Sequence, residues 1–372
     1  MSWPRSALLM CASSSRTGPV EGLLSLGREL RAQGVDARFA GDTVRPGENL
    51  GQHLAHAGVP WETELKLSRK VRLGDVLSDA RLLKQWVREG RFDVLHAAFA
   101  HDHLLALWAR TNDVLVVRAA QRRLDVEPGA VSQRLYALKS SDGVVVHARQ
   151  YRQRLLEQGV QPARVAVIPA GVDSGWFSPG RSPELRARWG VPEGAFLFGM
   201  VARMKPERGH RVVLEAFSRL PGDAWLVLVG RGEDEEALRK LAPPRVVFGG
   251  YLRGPGLVEG YRALDAAVWL REGNDGACRG VLEAMACGVP LLAGRDGAPG
   301  ELVRDGQDGF VVDPGDPEAV AEGMRKLLAR PAAAGGAPLA LGESARARAL
   351  ELTPRRAADE TLAFWRRLRD LT

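Results

Sequence analysis

Short apolar runs alternate with amphipathic stretches along the whole sequence, and this alternation constrains the fold more than any other feature. The runs have the length of buried strands, and the stretches between them have the apolar spacing of helices. Strands that alternate with helices form parallel sheets covered by helices. We therefore predict an α/β fold of doubly wound parallel sheets. The predicted strands span 7–11, 94–97, 114–117, 143–146 and 165–168, and then 197–201, 225–229, 245–248, 266–270 and 290–293.

A break between two such series follows residues 169–173, where prolines and glycines interrupt the pattern. The 372 residues are enough for two domains of ordinary size. We predict one α/β domain over 1–172, a second over 173–352 and a final helix over 353–372. The predicted apolar face of this helix consists of Leu362, Trp365, Leu368 and Leu371.

The composition bears on the cellular compartment and on the kinds of partner that the protein can bind. The three cysteines have the spacing of neither a disulfide framework nor a metal site, which favours a reducing, cytoplasmic compartment. No apolar run approaches the roughly 20 residues of a membrane-spanning helix. The net charge of +7 fits a phosphate-bearing partner such as a nucleotide, an anionic lipid or a nucleic acid. A solvated surface that is rich in arginine explains the charge equally well.

The stretch 272–290 carries the most information about chemistry. It follows a predicted strand, passes through a glycine turn and opens a short helix that ends at Gly288. Free N–H groups at the start of a helix favour an anion such as a pyrophosphate. Glu283 lies further along this helix, and a carboxylate there can accept two hydrogen bonds from the vicinal hydroxyls of a ribose. Taken alone, Glu283 is equally an ordinary acid on a helix surface.

A second strand-to-helix junction carries Arg203 and Arg208. Two arginines at this spacing can converge on a diphosphate and neutralise the charge that grows on it as a glycosyl bond breaks. After another strand, Gly230 and Gly232 permit a close approach of the backbone. The alternative is a basic turn in a basic protein.

Together these motifs resemble those of the group 1, or family 4, retaining glycosyltransferases. The resemblance is strong over about 165–330 and weak over the first 160 residues. It rests on motifs that occur in the family's order, namely 203–209, 230–232, 275–288, 297–303 and 305–312, preceded by an interdomain segment like that of the family at 169–179.

This resemblance implies the GT-B architecture, in which two Rossmann-like domains face a central cleft and a C-terminal helix crosses back to the first. It implies a nucleotide-sugar donor on the second domain and an acceptor on the first. It also implies transfer with retention, without a metal and without any cofactor beyond the donor.

Carried over by position, the resemblance assigns the donor diphosphate to Arg203 and Arg208 and the ribose to Glu283. The family usually has lysine at position 208, so Arg208 is a departure that keeps the charge. Asp275 stands where the family has the first glutamate of its Glu-x7-Glu motif, which contacts the donor sugar. Because aspartate is one methylene shorter, either the sugar sits differently or the donor differs. The remaining predicted donor-binding residues are Gly276, Ala277, Cys278 and Gly230.

The first domain departs further from the family. Gly18 and Pro19 stand in place of a glycine pair near the acceptor. Arg118 either takes an anionic group of the acceptor or forms an internal ion pair with an acid, and we favour the ion pair. His147 stands where serine is usual and is predicted to face the cleft. His96, His101 and His103 are interpreted as polar loop residues, without a metal.

A long basic stretch lies between residues 62 and 91 of the first domain. It could rest on anionic lipid and bring a membrane-bound acceptor near, although a solvated basic helix is the more common outcome. The basic residues concerned are Lys66, Arg69, Lys70, Arg72, Arg81, Lys84 and Arg88.

We therefore predict a cytoplasmic glycosyltransferase, with peripheral membrane contact as an option. From the resemblance, the expected acceptor is a glycan or glycolipid, and the expected setting is lipopolysaccharide or another cell-envelope glycan. A GT-B-type sugar-nucleotide epimerase and a non-catalytic nucleotide-sugar-binding protein are the alternatives. The net charge alone suggests a nucleic-acid binder, but no recognition motif accompanies it, so a nucleic acid is not an expected partner.

Overall fold

The computed structural model divides the chain into two compact units. The first unit comprises Met1–Ala170, Ala277 and Pro354–Thr372, and the second comprises Gly171–Gly273 and Cys278–Thr353. The chain therefore returns to the first unit after it has formed the second. The structure describes residues 3–14, 17–42, 50, 57–68, 72–120, 123–127, 137–220, 222–272, 277–329 and 339–371.

The first unit is built on a seven-stranded parallel sheet in the order β3-β2-β1-β4-β5-β6-β7. The chain moves outward from β1 in one direction and then crosses to β4 on its other side. This reversal makes the carboxyl ends of β1 and β4 the switch point of the sheet. The strands are β1 (Ser6–Cys11), β2 (Asp36–Gly41), β3 (Trp61–Glu62), β4 (Val94–Ala97), β5 (Leu115–Ala119), β6 (Gly143–Val146) and β7 (Val165–Val167).

Helices cover both faces of this sheet. Alternate residues of β1 point to opposite faces, so Leu9 lies in one apolar core and Leu8 in the other. The helices of this unit are α1 (Gly18–Ala32), α2 (Leu73–Arg88), α3 (Ala100–Ala109), α4 (Arg123–Val126), α5 (Arg149–Glu157) and, from the end of the chain, α6′ (Pro354–Leu371). The core around Leu9 contains residues of α1 and α6′. The core around Leu8 contains residues of α2 and α3.

Helix α6′ packs closely against the sheet because β6 begins with glycine. A Cβ atom at Gly143 would lie 2.3 Å from Leu368 Cδ1, so only a residue without a side chain fits there. Leu362, Trp365 and Leu368 are buried as predicted, whereas Leu371 is 51% exposed. The predicted apolar face is therefore wrong at Leu371.

The second unit contains a six-stranded parallel sheet in the order β10-β9-β8-β11-β12-β13. Here too the first strand is central, and the chain reverses direction between β8 and β11. The strands are β8 (Phe196–Val201), β9 (Ala224–Val229), β10 (Val246–Gly250), β11 (Ala266–Trp269), β12 (Leu291–Gly294) and β13 (Gly309–Val312).

Five helices of the second unit connect consecutive strands of its sheet, one precedes the first strand and two follow the last. One apolar core joins Phe198 and Met200 of β8 to the helices that follow β8 and β13. The helices are α6 (Pro183–Arg188), α7 (His210–Phe217), α8 (Glu235–Leu241), α9 (Pro255–Arg262), α10 (Arg279–Ala286), α11 (Ala298–Leu302), α12 (Pro317–Leu328) and α13 (Leu339–Glu351).

The α/β class with two doubly wound parallel sheets is confirmed. Each of the ten predicted strands coincides with an observed strand to within two residues, whereas β2, β3 and β13 were not predicted. Among the helices that the structure describes, none is both long enough and apolar enough to cross a bilayer.

Candidate functional site

The carboxyl ends of β8 and β11 form the switch point of the second sheet. The chain leaves β8 toward β9 and leaves β11 toward β12, so the two connections diverge. Crevices at such points are where open α/β sheets bind ligands. Arg203 and Arg208 follow β8, and α10 with Glu283 follows β11. The topology thus brings the two most informative sequence motifs to one edge of one sheet.

Glycines allow the turns after β8 and β9 to touch. A Cβ atom at Gly230 would lie 2.0 Å from the carbonyl oxygen of Ala202, and the φ angle of Gly230 is 144°, which side chains rarely adopt. The amide of Met204 donates to the carbonyl of Arg231 across 3.0 Å. Gly230 therefore lies next to the backbone that carries Arg203.

The two predicted phosphate ligands differ in burial. Arg203 is exposed, whereas Arg208 is only 7% exposed. A 3₁₀ turn, Pro206–Arg208, presents Arg208, and Gly209 ends that turn in the left-handed region with a φ of 85°. The Arg208 Cζ atom lies 4.9 Å from the centroid of the Trp269 ring. One guanidinium is therefore held against an aromatic face, and the other extends into solvent.

His210 follows this turn and is also buried. Burial, and next the charge of Arg208, lower the pKa of His210 to about 4. The imidazole is therefore neutral at physiological pH, and Arg208 carries the positive charge of this part of the turn.

The start of α10 is tightly packed. Cys278, the residue before the helix, is buried and adopts a left-handed conformation with a φ of 49°. Ala277 before it is also buried. A Cβ atom at Gly280 would lie 2.2 Å from Trp269 Cζ3, so the first turn of α10 rests directly on the indole ring. The predicted residues Asp275 and Gly276 lie outside the described residues.

Glu283 is a buried acid, 8% exposed, so the alternative of an ordinary surface acid is wrong. The Tyr261 hydroxyl donates to Glu283 Oε2 across 2.9 Å, and Arg279 Nη2 lies 3.5 Å from Glu283 Oε1. Burial, followed by the neighbouring Glu283 carboxylate, raises the pKa of Tyr261 well above its usual value. Tyr261 therefore remains a hydroxyl donor that fixes the orientation of this carboxylate.

Trp269 connects the two motifs. Its ring contacts Arg208 on one side and Gly280 on another, and Glu283 lies one helical turn beyond Gly280. The sequence analysis identified neither Trp269 nor Tyr261. The one available signal was the tryptophan at the end of the strand before the 272–290 motif. Nothing in the spacing of Tyr261 pointed to Glu283.

Arg118 of the first unit is 2% exposed and forms the predicted internal ion pair. Its Nη2 atom lies 3.2 Å from Asp125 Oδ1, and its Nη1 atom donates to the carbonyls of Ala97, Ala98 and Ala119. The predicted contact with an acceptor is corrected here, because these internal partners hold the guanidinium out of solvent.

Gly18 and His147 lie at the carboxyl edge of the first sheet. Gly18 begins α1 after β1, and His147 follows β6, where its Nδ1 atom lies 2.8 Å from the carbonyl oxygen of Ile168. This contact orients the imidazole ring. His147 thus directly follows a strand, whereas Gly18 is the first residue of a helix.

His96, His101 and His103, which were predicted as polar loop residues, do not lie in loops. His96 belongs to β4, and His101 and His103 belong to α3. Burial lowers the pKa of both His96 and His103 to about 3, and His103 Nε2 lies 2.6 Å from Ser141 Oγ. Within the described ranges, no group of three histidine, cysteine or acidic side chains is placed to hold a metal ion.

Two family models match nearly successive parts of the chain. The model described as "Glycosyl transferase 4-like domain" matches residues 17–171, and the model "Glycosyl transferases group 1" matches residues 181–348. The second match contains the switch point with Arg203, Arg208 and Glu283.

Two kinds of relative illustrate these matches. The D-inositol 3-phosphate glycosyltransferase of Acidothermus cellulolyticus is 32% identical over 233 residues, which cover 57% of this chain and 52% of the relative. The GDP-mannose-dependent alpha-mannosyltransferase of Mycobacterium tuberculosis is 32% identical over 228 residues, covering 54% and 59%. The chain thus spans a little over half the length of these relatives.

Solved structures extend the likeness over the whole chain. A glycosyltransferase from Rickettsia africae superposes with a TM-score of 0.80 at 18% identity and covers 99% of both chains. Anabaena Alr3699/HepE in complex with UDP gives a TM-score of 0.80 at 20% identity, covering 96% of this chain and 99% of that one. At these identities the likeness shows the fold, which is the GT-B fold.

Proposed function

The chain belongs to the group 1 glycosyl transferases, and from this we propose that it transfers a sugar from a nucleotide-sugar donor to an acceptor hydroxyl with retention of configuration. The observation that carries the proposal is the buried, hydrogen-bonded Glu283 on a helix that begins at the sheet edge of Arg203 and Arg208. A carboxylate, two guanidiniums and a helix start are the groups that a ribose diphosphate needs.

In this proposal Arg203 and Arg208 bind the diphosphate and neutralise the charge that develops on it as the glycosidic bond breaks. A buried cation such as Arg208 acts strongly because little water screens it. The chain itself supplies this charge, so we propose that transfer needs neither a metal nor a further cofactor.

Glu283 would accept hydrogen bonds from the ribose hydroxyls, because the Tyr261 hydroxyl already fixes the direction of its carboxylate. The amides at the start of α10, around Ala277 and Cys278, would bind a phosphate or a sugar hydroxyl, and Gly230 would leave space for the donor. We propose that Asp275 and Gly276 contact the donor sugar, as their place in the motif implies.

The relatives guide the choice of donor and acceptor. Their names include GDP-mannose and D-inositol 3-phosphate, and HepE has been solved with UDP-glucose. We propose a UDP- or GDP-sugar as the donor and a glycan or glycolipid of the cell envelope as the acceptor. The acceptor would meet Gly18 and His147 of the first unit.

A thermal-shift screen against UDP-, GDP- and ADP-sugars tests the donor, because a ligand that binds only the folded state raises its melting temperature. The donor that raises it is then incubated with and without a mixture of acceptors. Transfer, or slow hydrolysis of the donor, is the expected result. Conversion of the donor sugar without an acceptor would instead indicate an epimerase, and binding without any turnover a non-catalytic protein.

Variants test the assigned residues. Arg203→Ala and Glu283→Ala should each lower kcat/KM at least about 100-fold, the scale of losing a charged contact to the transition state. Arg219→Ala and Glu236→Ala remove exposed side chains of the same kinds from the second unit and should leave transfer unchanged. Wild-type turnover in both site variants would overturn their roles.

We further propose that the protein is cytoplasmic and binds peripherally to the surface of an anionic membrane. Helix α2 exposes Arg81, Lys84 and Arg88, while Leu73 near its start is 74% exposed. On the adjacent α3, Trp108 is 58% exposed. Basic and apolar groups together are typical of surfaces that lie in the lipid interface. Of the remaining basic residues, Lys66 pairs with Asp75, while Arg69 and Lys70 lie outside the described residues.

Flotation with lipid vesicles tests this membrane contact. The wild-type protein should float with phosphatidylglycerol vesicles and remain in solution with phosphatidylcholine alone. Lys84→Glu and Trp108→Ser should each weaken flotation, whereas Lys240→Glu makes the same charge change in the second unit and should not. Equal recovery with both kinds of vesicle would contradict an electrostatic contact.

A further inference from the structure

Arg208 combines a full positive charge with almost complete burial. Its side chain is 7% exposed, and its guanidinium lies over the Trp269 ring at 4.9 Å. A buried guanidinium needs neighbours that compensate for lost hydration, and the face of an aromatic ring is one that attracts a cation. Trp269 is thus an aromatic neighbour of a residue that the proposed function assigns to the diphosphate.

The Trp269 ring has little freedom to move. The residue ends β11, is 8% exposed, and its six-membered ring contacts the backbone of Gly280. A Cβ atom at position 280 would lie 2.2 Å from Cζ3 and 2.5 Å from Cη2 of Trp269. The ring is therefore closely packed, and it contacts both the guanidinium of Arg208 and the first turn of α10.

This spacing matters because both neighbours of the ring are parts of the proposed donor site. The diphosphate would have to meet the guanidinium and the start of α10 together, so the distance between them decides how well both contacts form. The compact ammonium of a lysine would gain less from stacking on a ring than the planar guanidinium of Arg208 does. Arginine at 208 and tryptophan at 269 therefore make chemical sense as a pair.

We infer that Trp269 is a positioning residue, which holds the Arg208 guanidinium at the distance from α10 that a nucleoside diphosphate requires. This inference rests on the proposed function. It predicts that loss of the ring impairs recognition of the β-phosphate more than recognition of the nucleoside or the α-phosphate, because it removes the aromatic face that holds the Arg208 guanidinium. A purely structural ring would impair all of these contacts together.

The decisive quantity is the dissociation constant of a nucleoside monophosphate divided by that of the diphosphate of the same nucleoside. Calorimetry measures both constants, with UMP and UDP or with GMP and GDP. In Trp269→Met this ratio should fall about tenfold, within the range expected for a desolvated cation–π pair. Trp269→Phe keeps an aromatic face and should retain most of the ratio.

Two further variants keep the test decisive if Trp269→Met does not fold. Gly280→Ala keeps the tryptophan but displaces its ring, and it should also lower the ratio. In an Arg208→Met background, Trp269→Phe and Gly280→Ala should have no further effect on the ratio. Phe248→Leu is the matched control, because it removes a ring that lies 4.2 Å from Arg239 at another place in the same unit.

The outcomes separate the two hypotheses. If the wild type binds neither UDP nor GDP, the proposed donor site fails, and the role of Trp269 fails with it. If the wild type binds one of them and the ratio is the same in Trp269→Met or Gly280→Ala, only the positioning role is overturned.

Discussion

At the scale of single residues, the candidate site consists of buried charges, each held by a specific neighbour. Glu283 has the Tyr261 hydroxyl, Arg208 has the Trp269 ring, and Arg118 in the other unit has Asp125. A buried charge without such a neighbour is strongly destabilising. These neighbours therefore contribute to stability and also fix the direction of the charged groups.

Tyr261→Phe should lower the free energy of unfolding by about 2 kcal/mol, because it removes a buried hydrogen bond to a charged acceptor. Urea denaturation of the ligand-free protein measures this change. Tyr251→Phe, at a tyrosine that is 59% exposed, is the matched control and should change stability little. Equal stability of Tyr261→Phe and wild type would mean that Glu283 does not depend on this hydroxyl.

The sequence pointed to the charged residue of each pair but not to the neighbour that holds it. Arg203, Arg208 and Glu283 stand in local motifs, and a motif is visible along the chain. Trp269 and Tyr261 belong to a strand and a helix that come before the Glu283 motif, and only the tertiary packing brings them to their partners. For Arg118, the preferred prediction of an internal ion pair agrees with the structure, although no pattern identified Asp125.

At the scale of elements, the fold depends on buried strands and on glycines where helices cross them. Strands that are buried on both faces appear in the sequence as apolar runs, which is why ten were predicted. The strand β2 carries the charged residues Asp36 and Arg38, and β3 has two residues, so neither gives a clear apolar run. The strand β13 does contain a short apolar run, Phe310–Val312, and the prediction missed it.

Gly143→Ala should destabilise the protein by about 1–3 kcal/mol, because the new methyl group overlaps Leu368 and Phe364 in a packed core. Gly22→Ala makes the same change within α1, where a Cβ atom meets no other atom within 4 Å. There alanine should stabilise by about 0.5–1 kcal/mol, because it favours the helix. Thermal unfolding of both variants should show shifts of opposite sign, and a stabilised Gly143→Ala would contradict this packing.

At the scale of the whole molecule, three buried histidines couple stability to pH. Burial is the main reason that the pKa is about 3 for His96 and His103 and about 4 for His210, against 6.5 for an unperturbed histidine. The unfolded chain therefore binds protons that the folded chain excludes. The contribution of the three histidines to the free energy of unfolding is fully present above pH 6.5 and decreases as the pH falls toward 4.

We expect the free energy of unfolding to decrease below pH 6.5 with a slope of up to about 4 kcal/mol per pH unit, which corresponds to three protons. Near pH 4 the raised pKa values of Asp79, Asp102 and Asp142 oppose this trend, because these acids take up protons in the folded state. Urea denaturation at pH 7, 6 and 5 measures the slope.

His103→Gln should reduce this slope by the contribution of about one proton, because one of the three titrating histidines is removed. Ser141→Ala removes the hydrogen-bond partner of His103 without removing a titrating group. It should lower stability at each pH and leave the slope unchanged. A slope unaffected by His103→Gln would exclude this histidine as a source of the pH dependence.

The first unit takes its helix α6′ from residues that follow the second unit in the chain. A chain that ends at Thr353 should therefore lose protection in the first unit, because Leu362, Phe364, Trp365 and Leu368 leave its core. Limited proteolysis should then leave a resistant fragment of about the second unit's length. A chain that ends at Asp370 is the control, and a protease-resistant first unit in the shorter chain would contradict the expectation.

This discontinuity also has a consequence for biosynthesis. A ribosome releases every residue of the second unit before it releases α6′, so the nascent first unit stays incomplete while the rest of the polypeptide is made. The usual order, in which the N-terminal domain matures first during translation, is therefore reversed here. Until α6′ leaves the ribosome, the apolar surface that packs against Trp365 remains uncovered, and transiently exposed apolar surface of this kind is what chaperones protect.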